Sequence, residues 1–431
     1  MSNFSGRKTI ETDVWLKLDN AAKIFPSGTN NRRTLVFRLT AEITQPVRYS
    51  ILQEAVRLTA LRYPYFTMHL RRGFFWYWLD SENPELRIVP DRETPCRGFP
   101  YKGKEKPLCR ILTRGNQISA EFYHVLTDGY GGMEFLKTLL AAYGELSGLA
   151  MPESGFSHYT DTPREDETED AYNRYFDPRL PAPPQLSKAY HIPFPVLLND
   201  LRILSIEIDI PRIKEQAGAF GITLTEYLTS VYLWSLQDVF SRTQVLPRLA
   251  RHPVIRIQVP VNLRKIFPTR SLRNFSLFVT PEIDMRLGPY TFEEITRTVH
   301  HYMLYQTDPK LMRKRIYKNV RNEKNLLIRI IPLVIKNWVL SYYFQRSGVS
   351  LYSGLITNLG RIELSGDLAT LIARMRFLPP PPSESKASIG VVTCNDRMVL
   401  SFSNSTGSNL LETIFIQYLM QNGIPVRCLK P

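Results

Sequence analysis

The stretch Gln117-Ile118-Ser119-Ala120-Glu121-Phe122-Tyr123-His124-Val125-Leu126-Thr127-Asp128-Gly129-Tyr130-Gly131-Gly132 changes character partway along. In its first part Ile118, Ala120 and Phe122 alternate with Ser119, Glu121 and Tyr123, the pattern of a β-strand with unlike faces. After Gly131-Gly132, the residues Phe135, Leu136, Leu139, Leu140 and Tyr143 recur at helical spacing and make one broad apolar face. His124 to Gly129 then fall on the loop where a strand has stopped and a helix has yet to start. Loops held between rigid elements commonly carry catalytic side chains. Gly129, Gly131 and Gly132 are expected to let the backbone turn tightly there and come close to a ligand.

Upstream of this loop the chain reads as mixed α and β. Residues 34–40 form a β-rich run with Leu35, Phe37 and Leu39 on one face. Residues 46–61 carry Val47, Ile51, Ala55 and Leu58 at helical spacing, with Pro46 suited to a first turn. Short strands are expected over 66–71, 73–79 and 108–112. Downstream, residues 153–199 hold an acidic stretch (165–170), a partly helical pattern over 166–176, and prolines at 178, 181, 183 and 184. Such a segment reads as an exposed connector. It divides the chain into a first subdomain (1–176), a linker (177–200) and a second subdomain (201–431). The second restarts with a strand over 202–208, then a capping box in which Thr223 and Glu226 open a helix. A strand-like run over 253–261 ends in Pro260-Val261-Asn262-Leu263-Arg264. Helices are expected over 291–305 and 409–421, and a hairpin over 388–393 and 398–403. The whole suggests two α/β layers meeting across a cleft.

Length agrees with two subdomains, since 431 residues exceed the roughly 250–300 that one core supports. A content of 43% hydrophobic and 22% charged residues excludes a disordered chain. The formal net charge is +15, and the densest basic run is Lys310, Arg313, Lys314, Arg315, Lys318, Arg321 and Lys324. It reads as a solvated face, an anionic membrane or partner surface, or a phosphate site. With no zinc-finger spacing or RNA-recognition signature, nucleic acid is not an expected partner. Residues 326–344 are the most apolar stretch, but Arg329, Pro332 and Lys336 interrupt it, which argues against a membrane span. Residues 1–8 contain no apolar run, and Cys96, Cys109, Cys394 and Cys428 show neither close pairing nor metal-ligand spacing. The expected setting is a cytoplasmic protein with free thiols, with membrane association kept open.

His124 has the chemistry of a general base, because a neutral imidazole accepts a proton near pH 7. The competing structural reading is a histidine that merely neighbours an Asp-Gly turn. Asp128 has two readings: it orients the imidazole directly, or it pairs with an arginine elsewhere and holds the loop. The second is favoured, because no nucleophilic serine or cysteine stands in an elbow motif. A metal site is not expected, since no further His or Cys is near enough in sequence to complete one.

Read whole, the His-x-x-x-Asp-Gly pattern of His124 to Gly129 resembles the active-site motif of the chloramphenicol acetyltransferase-like superfamily. Leu18-Asp19-Asn20-Ala21-Ala22-Lys23-Ile24-Phe25-Pro26 and Ile356-Thr357-Asn358-Leu359-Gly360-Arg361 fit the same likeness, which is strongest to bacterial alcohol acetyltransferases. The resemblance implies two similar α/β subdomains with a tunnel between them and the histidine at its centre. It also implies an acyltransferase that moves an acyl group from acyl-CoA, or from an acyl carrier protein, to an alcohol or amine. In this scheme His124 is the base, no acyl-enzyme forms, and acyl-CoA is a co-substrate rather than a bound cofactor. The resemblance further implies a structural salt bridge from Asp128 to Arg264. Oxyanion or substrate contacts would come from the backbone at Gly129 or from Ser353, Thr357 or Asn358, although Asn358-Leu359-Gly360 also reads as a turn. Tyr123 stands where many condensation domains have a second histidine, and no Asp-Phe-Gly-Trp-Gly motif is present. Two other classes stay open: a scaffold protein on the same fold without turnover, and a membrane-peripheral, lipid-directed acyltransferase.

Overall fold

Strand Gln117–Tyr123 is the middle strand of a five-stranded sheet, antiparallel to Val36–Ile43 on one side and to Cys109–Arg114 on the other. The computed structural model describes residues 15–430 apart from 31–32, 82–84, 93, 100–107, 151–156, 182, 184–185, 197–200, 244–251, 344–348, 365 and 383–384. Residues 1–8, part of the expected linker and the end of the 326–344 stretch therefore lie outside the described residues. Ile88–Pro90 completes one edge of the sheet, and Ile372–Leu378 pairs antiparallel with Val36–Ile43 at the other. That last strand comes from the second half of the sequence. Leu368, Leu371, Met375 and Phe377 accompany it into the core of the first half. The division at 177–200 is thus not kept by residues 366–378. They cross over and cover a sheet edge that would otherwise present unpaired backbone groups.

Helices Tyr49–Arg62 and Gly129–Leu146 pack on this sheet through Leu52, Ala55, Phe135, Leu136 and Leu139, all fully buried. The strand has the unlike faces expected from the alternation, and its polar face is buried as well as its apolar one. Thr40 and Ser119 hydroxyls meet at 2.8 Å across the strands. Glu121 is fully buried and accepts from Arg38 Nε at 2.7 Å, Arg110 Nε at 2.6 Å and the Cys96 backbone N–H at 2.6 Å. Hydrogen bonding and charge pairing are what make a carboxylate tolerable inside a sheet.

The second sheet has the order Ser276–Val279, Val254–Asn262, Gly354–Ile362, Ala387–Cys394, Arg397–Asn404, Arg202–Ile208, Val426–Leu429, with Glu282–Asp284 also pairing on Val254–Asn262. Gly354–Ile362 runs parallel to both of its neighbours. The expected hairpin is formed, in register from Ala387↔Asn404 to Cys394↔Arg397. Helix Leu224–Thr243 opens with the reciprocal box: Thr223 N–H donates to Glu226 Oε2 at 2.7 Å, and Glu226 N–H donates to Thr223 Oγ1 at 3.3 Å. It packs in the second core with Phe292–Gln306 and Leu410–Gln421.

Four local expectations are corrected. Residues 64–67 form a 3₁₀ turn instead of beginning a strand, because Phe66 is drawn into the core against Phe122 and Phe135 at 5.7 and 4.8 Å. The strands that follow are His69–Arg72 and Tyr77–Asp80, which join Trp15–Lys17 in a small third sheet. Leu35 leaves its strand with φ +51°, and its carbonyl accepts the backbone N–H of His124 at 2.9 Å. The acidic stretch is no simple exposed connector, since Glu167 is held by Arg62 at 2.5 Å and its carbonyl accepts the N–H of Leu272 at 2.8 Å. The basic run forms helix Pro309–Lys324, followed by Leu326–Arg329 and Leu333–Tyr343. Among the described residues, no helix is long and apolar enough to cross a membrane.

Glu121→Gln removes a charge without changing shape and leaves two guanidinium groups facing a neutral amide. Urea denaturation should show a loss of ~3–5 kcal/mol, the usual result of breaking a buried ion pair from one side.

Candidate active site

His124 directly follows the central strand of the first sheet, and its ring lies against Phe37 of that sheet and Phe25 of the short helix Phe25–Gly28. Phe37 lies 4.8 Å away, centroid to centroid, and Phe25 lies 5.6 Å away. The ring Nδ1 is 3.1 Å from the carbonyl oxygen of Thr127. A carbonyl only accepts, so Nδ1 carries the hydrogen and Nε2 keeps the free lone pair. Burial pushes the imidazole pKa below its ordinary 6.5, against the opposing pull of Asp128, Asn274 and the Thr127 carbonyl. The ring is therefore neutral at pH 7, with one fixed tautomer.

Asp128 does not touch this ring. Its Oδ2 accepts from Arg264 Nη1 at 2.8 Å and from the backbone N–H of Phe275 at 2.9 Å. Its Oδ1 caps helix Gly129–Leu146 by accepting the N–H of Gly131 at 3.2 Å. Of the two arrangements left open by the sequence, pairing with an arginine is the one formed. Both partners are buried. Arg264 is fixed in turn: its Nε donates to the Ser271 carbonyl at 2.8 Å, and it stands over the Tyr130 ring at 4.5 Å. The pair joins the two halves directly beside the histidine.

The three glycines of the loop act differently from expectation. None has positive φ, and Gly129 is already the first residue of the helix, capped by Asp128. Gly131 is needed because a Cβ there would stand 2.0 Å from the Leu272 carbonyl oxygen and 2.3 Å from Thr127 Oγ1. Thr127 Oγ1 donates to that same carbonyl at 2.5 Å. The missing side chain lets the second half approach the backbone of the first.

A cavity of about 2370 Å³ lies between the halves. Its lining includes Phe37 and His124 from the first half and Val259, Leu277 and Thr357 from the second. Thr357 is on strand Gly354–Ile362, on the cavity wall. Asn358 lines the cavity too, but its side chain is occupied: it donates to Thr225 Oγ1 at 3.1 Å and accepts the N–H of Gly360 at 2.8 Å. Asn358-Leu359-Gly360 is not a turn. It is a bulge within the strand, where the pairing register shifts and Gly360 takes φ +81°. Ser353 does not reach the cavity lining. Fully buried, its Oγ accepts the backbone N–H of Arg256 at 3.0 Å.

One residue with a clear part in the site carried no local sequence signal. The Asn274 side-chain amide donates to the backbone carbonyl of His124 at 2.8 Å and to Asp19 Oδ2 at 3.1 Å. Asp19 is fully buried, and burial pushes its carboxyl up to about 6 although Arg273 pulls the other way. Asn274 and Asp19 are 255 positions apart, and neither sits in a periodic pattern that would single it out.

No family model matches the chain, and no curated protein is similar to it in sequence. Solved structures do match. Polyketide synthase associated protein 5 from Mycobacterium tuberculosis aligns with a TM-score of 0.58 at 12% identity, covering 94% of this chain and 97% of its own. The first condensation domain of the CDA synthetase aligns with a TM-score of 0.59 at 15% identity, covering 95% and 96%. The fold is chloramphenicol acetyltransferase-like. F. graminearum TRI101, complexed with coenzyme A and deoxynivalenol, shares this chloramphenicol acetyltransferase-like fold with a TM-score of 0.60 at 10% identity, covering 95% of this chain and 97% of that one.

Gly131→Ala places a methyl group against backbone that cannot yield easily. Urea denaturation should show a loss of at least ~1–3 kcal/mol, in the range of overpacked cores, and an unchanged midpoint would contradict the close approach at Leu272.

Proposed function

We propose that the protein is an acyltransferase in which His124 takes the proton from an alcohol or amine as that nucleophile attacks an acyl thioester. The observation carrying this reading is the imidazole itself. It is neutral, fixed in one tautomer by Thr127, and part of the wall of a cavity between two halves. Nε2 accepts the proton while the oxygen or nitrogen of the acceptor forms its bond to the thioester carbonyl. The tetrahedral intermediate then expels the thiolate, and the same imidazolium returns the proton to the departing sulfur. No acyl-enzyme is required.

Each neighbour has a role in this scheme. The Asp128–Arg264 pair holds the loop and both halves in place rather than moving protons, since both carboxylate oxygens are already occupied. Asn274 positions the backbone of His124. Thr357 is the side-chain donor best placed for the oxyanion, as Ser353 and Asn358 are engaged elsewhere. Acyl-CoA is the proposed donor, with an acyl carrier protein as the other carrier of the same thioester chemistry. The complex of the similar F. graminearum protein with coenzyme A supports this donor class.

His124→Ala should lower thioester consumption in the presence of an acceptor by ~10²–10⁴-fold, the usual contribution of a general base. Free-thiol release should be compared with the melting temperature, which should be unchanged; turnover at the wild-type rate would remove the assignment. The pH dependence gives a second check. Only the neutral ring is a base, so kcat/KM should fall on the acid side as His124 becomes protonated. Because burial lowers this pKa, the midpoint of the acid limb should lie below 6.5, and a midpoint above that value would place the base elsewhere.

A further inference from the structure

Helix Leu333–Tyr343 holds one side against the body of the protein and turns an apolar side to solvent. The inner side is tied to the body of the protein. Leu333 N–H donates to the Phe74 carbonyl at 2.7 Å, and Lys336 Nζ donates to the carbonyls of Phe75 and Arg329 at 3.2 and 2.9 Å. Asn337 accepts from Ser27 Oγ at 2.7 Å and donates to Tyr77 Oη at 2.8 Å. Val334, Ile335, Trp338, Val339 and Tyr342 follow the spacing i, i+1, i+4, i+5, i+8 and share the opposite side. Trp338 is 75% exposed, and none of the five is less than 49% exposed. Phe74, 70% exposed, is carried beside them on the tip of the hairpin His69–Arg72 and Tyr77–Asp80. A contiguous apolar surface of this kind marks an interaction site.

We propose that this face docks on an anionic lipid bilayer and sets the mouth of the cavity against the membrane. Charge and continuity choose this occupant. Helix Pro309–Lys324 leads into the patch, and its Lys310, Arg313, Lys314, Lys318, Arg321 and Lys324 lie at spacings that keep them on one side. Apolar insertion flanked by cations is the chemistry of a helix lying in a membrane interface. Trp76 fits the same setting, with Lys336 Nζ 3.7 Å and the Arg329 guanidinium 6.0 Å from its ring centroid. A second copy is a poor occupant, because it would bring two chains of net charge +15 together. Phe75, Trp76, Ile328, Val339 and Leu340 line the cavity that also holds His124. A docked protein could then admit an amphiphilic substrate from the lipid phase. Docking itself does not depend on the acyl-transfer reading.

The test is vesicle flotation of the full chain with phosphatidylcholine alone and with equal parts phosphatidylcholine and phosphatidylglycerol. The wild type should float with the anionic vesicles, and added salt should weaken binding. Val334→Ser combined with Trp338→Ser should reduce partitioning on the order of tenfold or more. Lys310→Gln and Lys314→Gln should each reduce it about fivefold. All of these variants should keep the wild-type melting temperature, because the altered side chains face solvent or the surface. The proposal fails if the wild type stays in the aqueous fraction with both vesicle types at low salt. It also fails if the double serine variant floats as well as the wild type. Sedimentation equilibrium showing a dimer that the double variant abolishes would assign the face to a second copy instead. His124→Ala should float normally, so loss of docking and loss of transfer are read separately.

Discussion

The Asp128–Arg264 ion pair is the constraint on which the site depends. The carboxylate does three things at once: it pairs with a guanidinium of the second half, accepts a backbone N–H from Phe275, and caps the helix that begins at Gly129. A buried charge is stable only when all of its partners are in place. The helix start, the loop and the second sheet are therefore fixed relative to one another, and His124 is fixed with them. The Thr127 hydroxyl, bonded to Leu272, and the bare Cα of Gly131 let the two backbones meet at the same point.

This arrangement keeps the ion pair and the ring separate, with no atom shared between them. Imidazole Nδ1 is held by a carbonyl and not by a carboxylate, so the ring is oriented without being made strongly basic. Burial lowers its proton affinity further. In the proposed reaction such a ring serves as a base in its neutral form and gains its power from position. The backbone behind it is held from both directions, by Leu35 at the N–H and by Asn274 at the carbonyl. Leu35 adopts a left-handed conformation to do so, a local strain of the kind that collects at functional sites.

The cavity links this centre to the apolar rim. Its walls combine residues of both sheets with the hairpin tip at Phe75 and Trp76 and the helices after residue 326. The rim residues face solvent where an ordinary surface helix would carry charges. Fold and rim together describe a cavity between two halves that has His124 in its wall and an apolar opening at its edge.

Local patterns determined much of this protein in advance. The alternation over 117–123, the apolar run over 202–208 and the Thr223–Glu226 box depend on neighbours in sequence, and each is found where the pattern put it. The strand-to-helix loop carrying His124 was legible for the same reason, and so was the pair of α/β layers. Tertiary structure decided the rest, because the interactions involved join positions far apart in the chain. The alternation placed Glu121 on the polar face of its strand, but not the Arg38, Arg110 and Cys96 backbone groups that bury it there. Strand Ile372–Leu378 belongs to the first sheet because an open edge was there to receive it. Ser353 dropped out of the site, Asn274 entered it, and Asn358 proved to brace a bulge. Periodicity reports which side of an element is apolar; which distant group meets a given polar atom is fixed only when the halves close on one another.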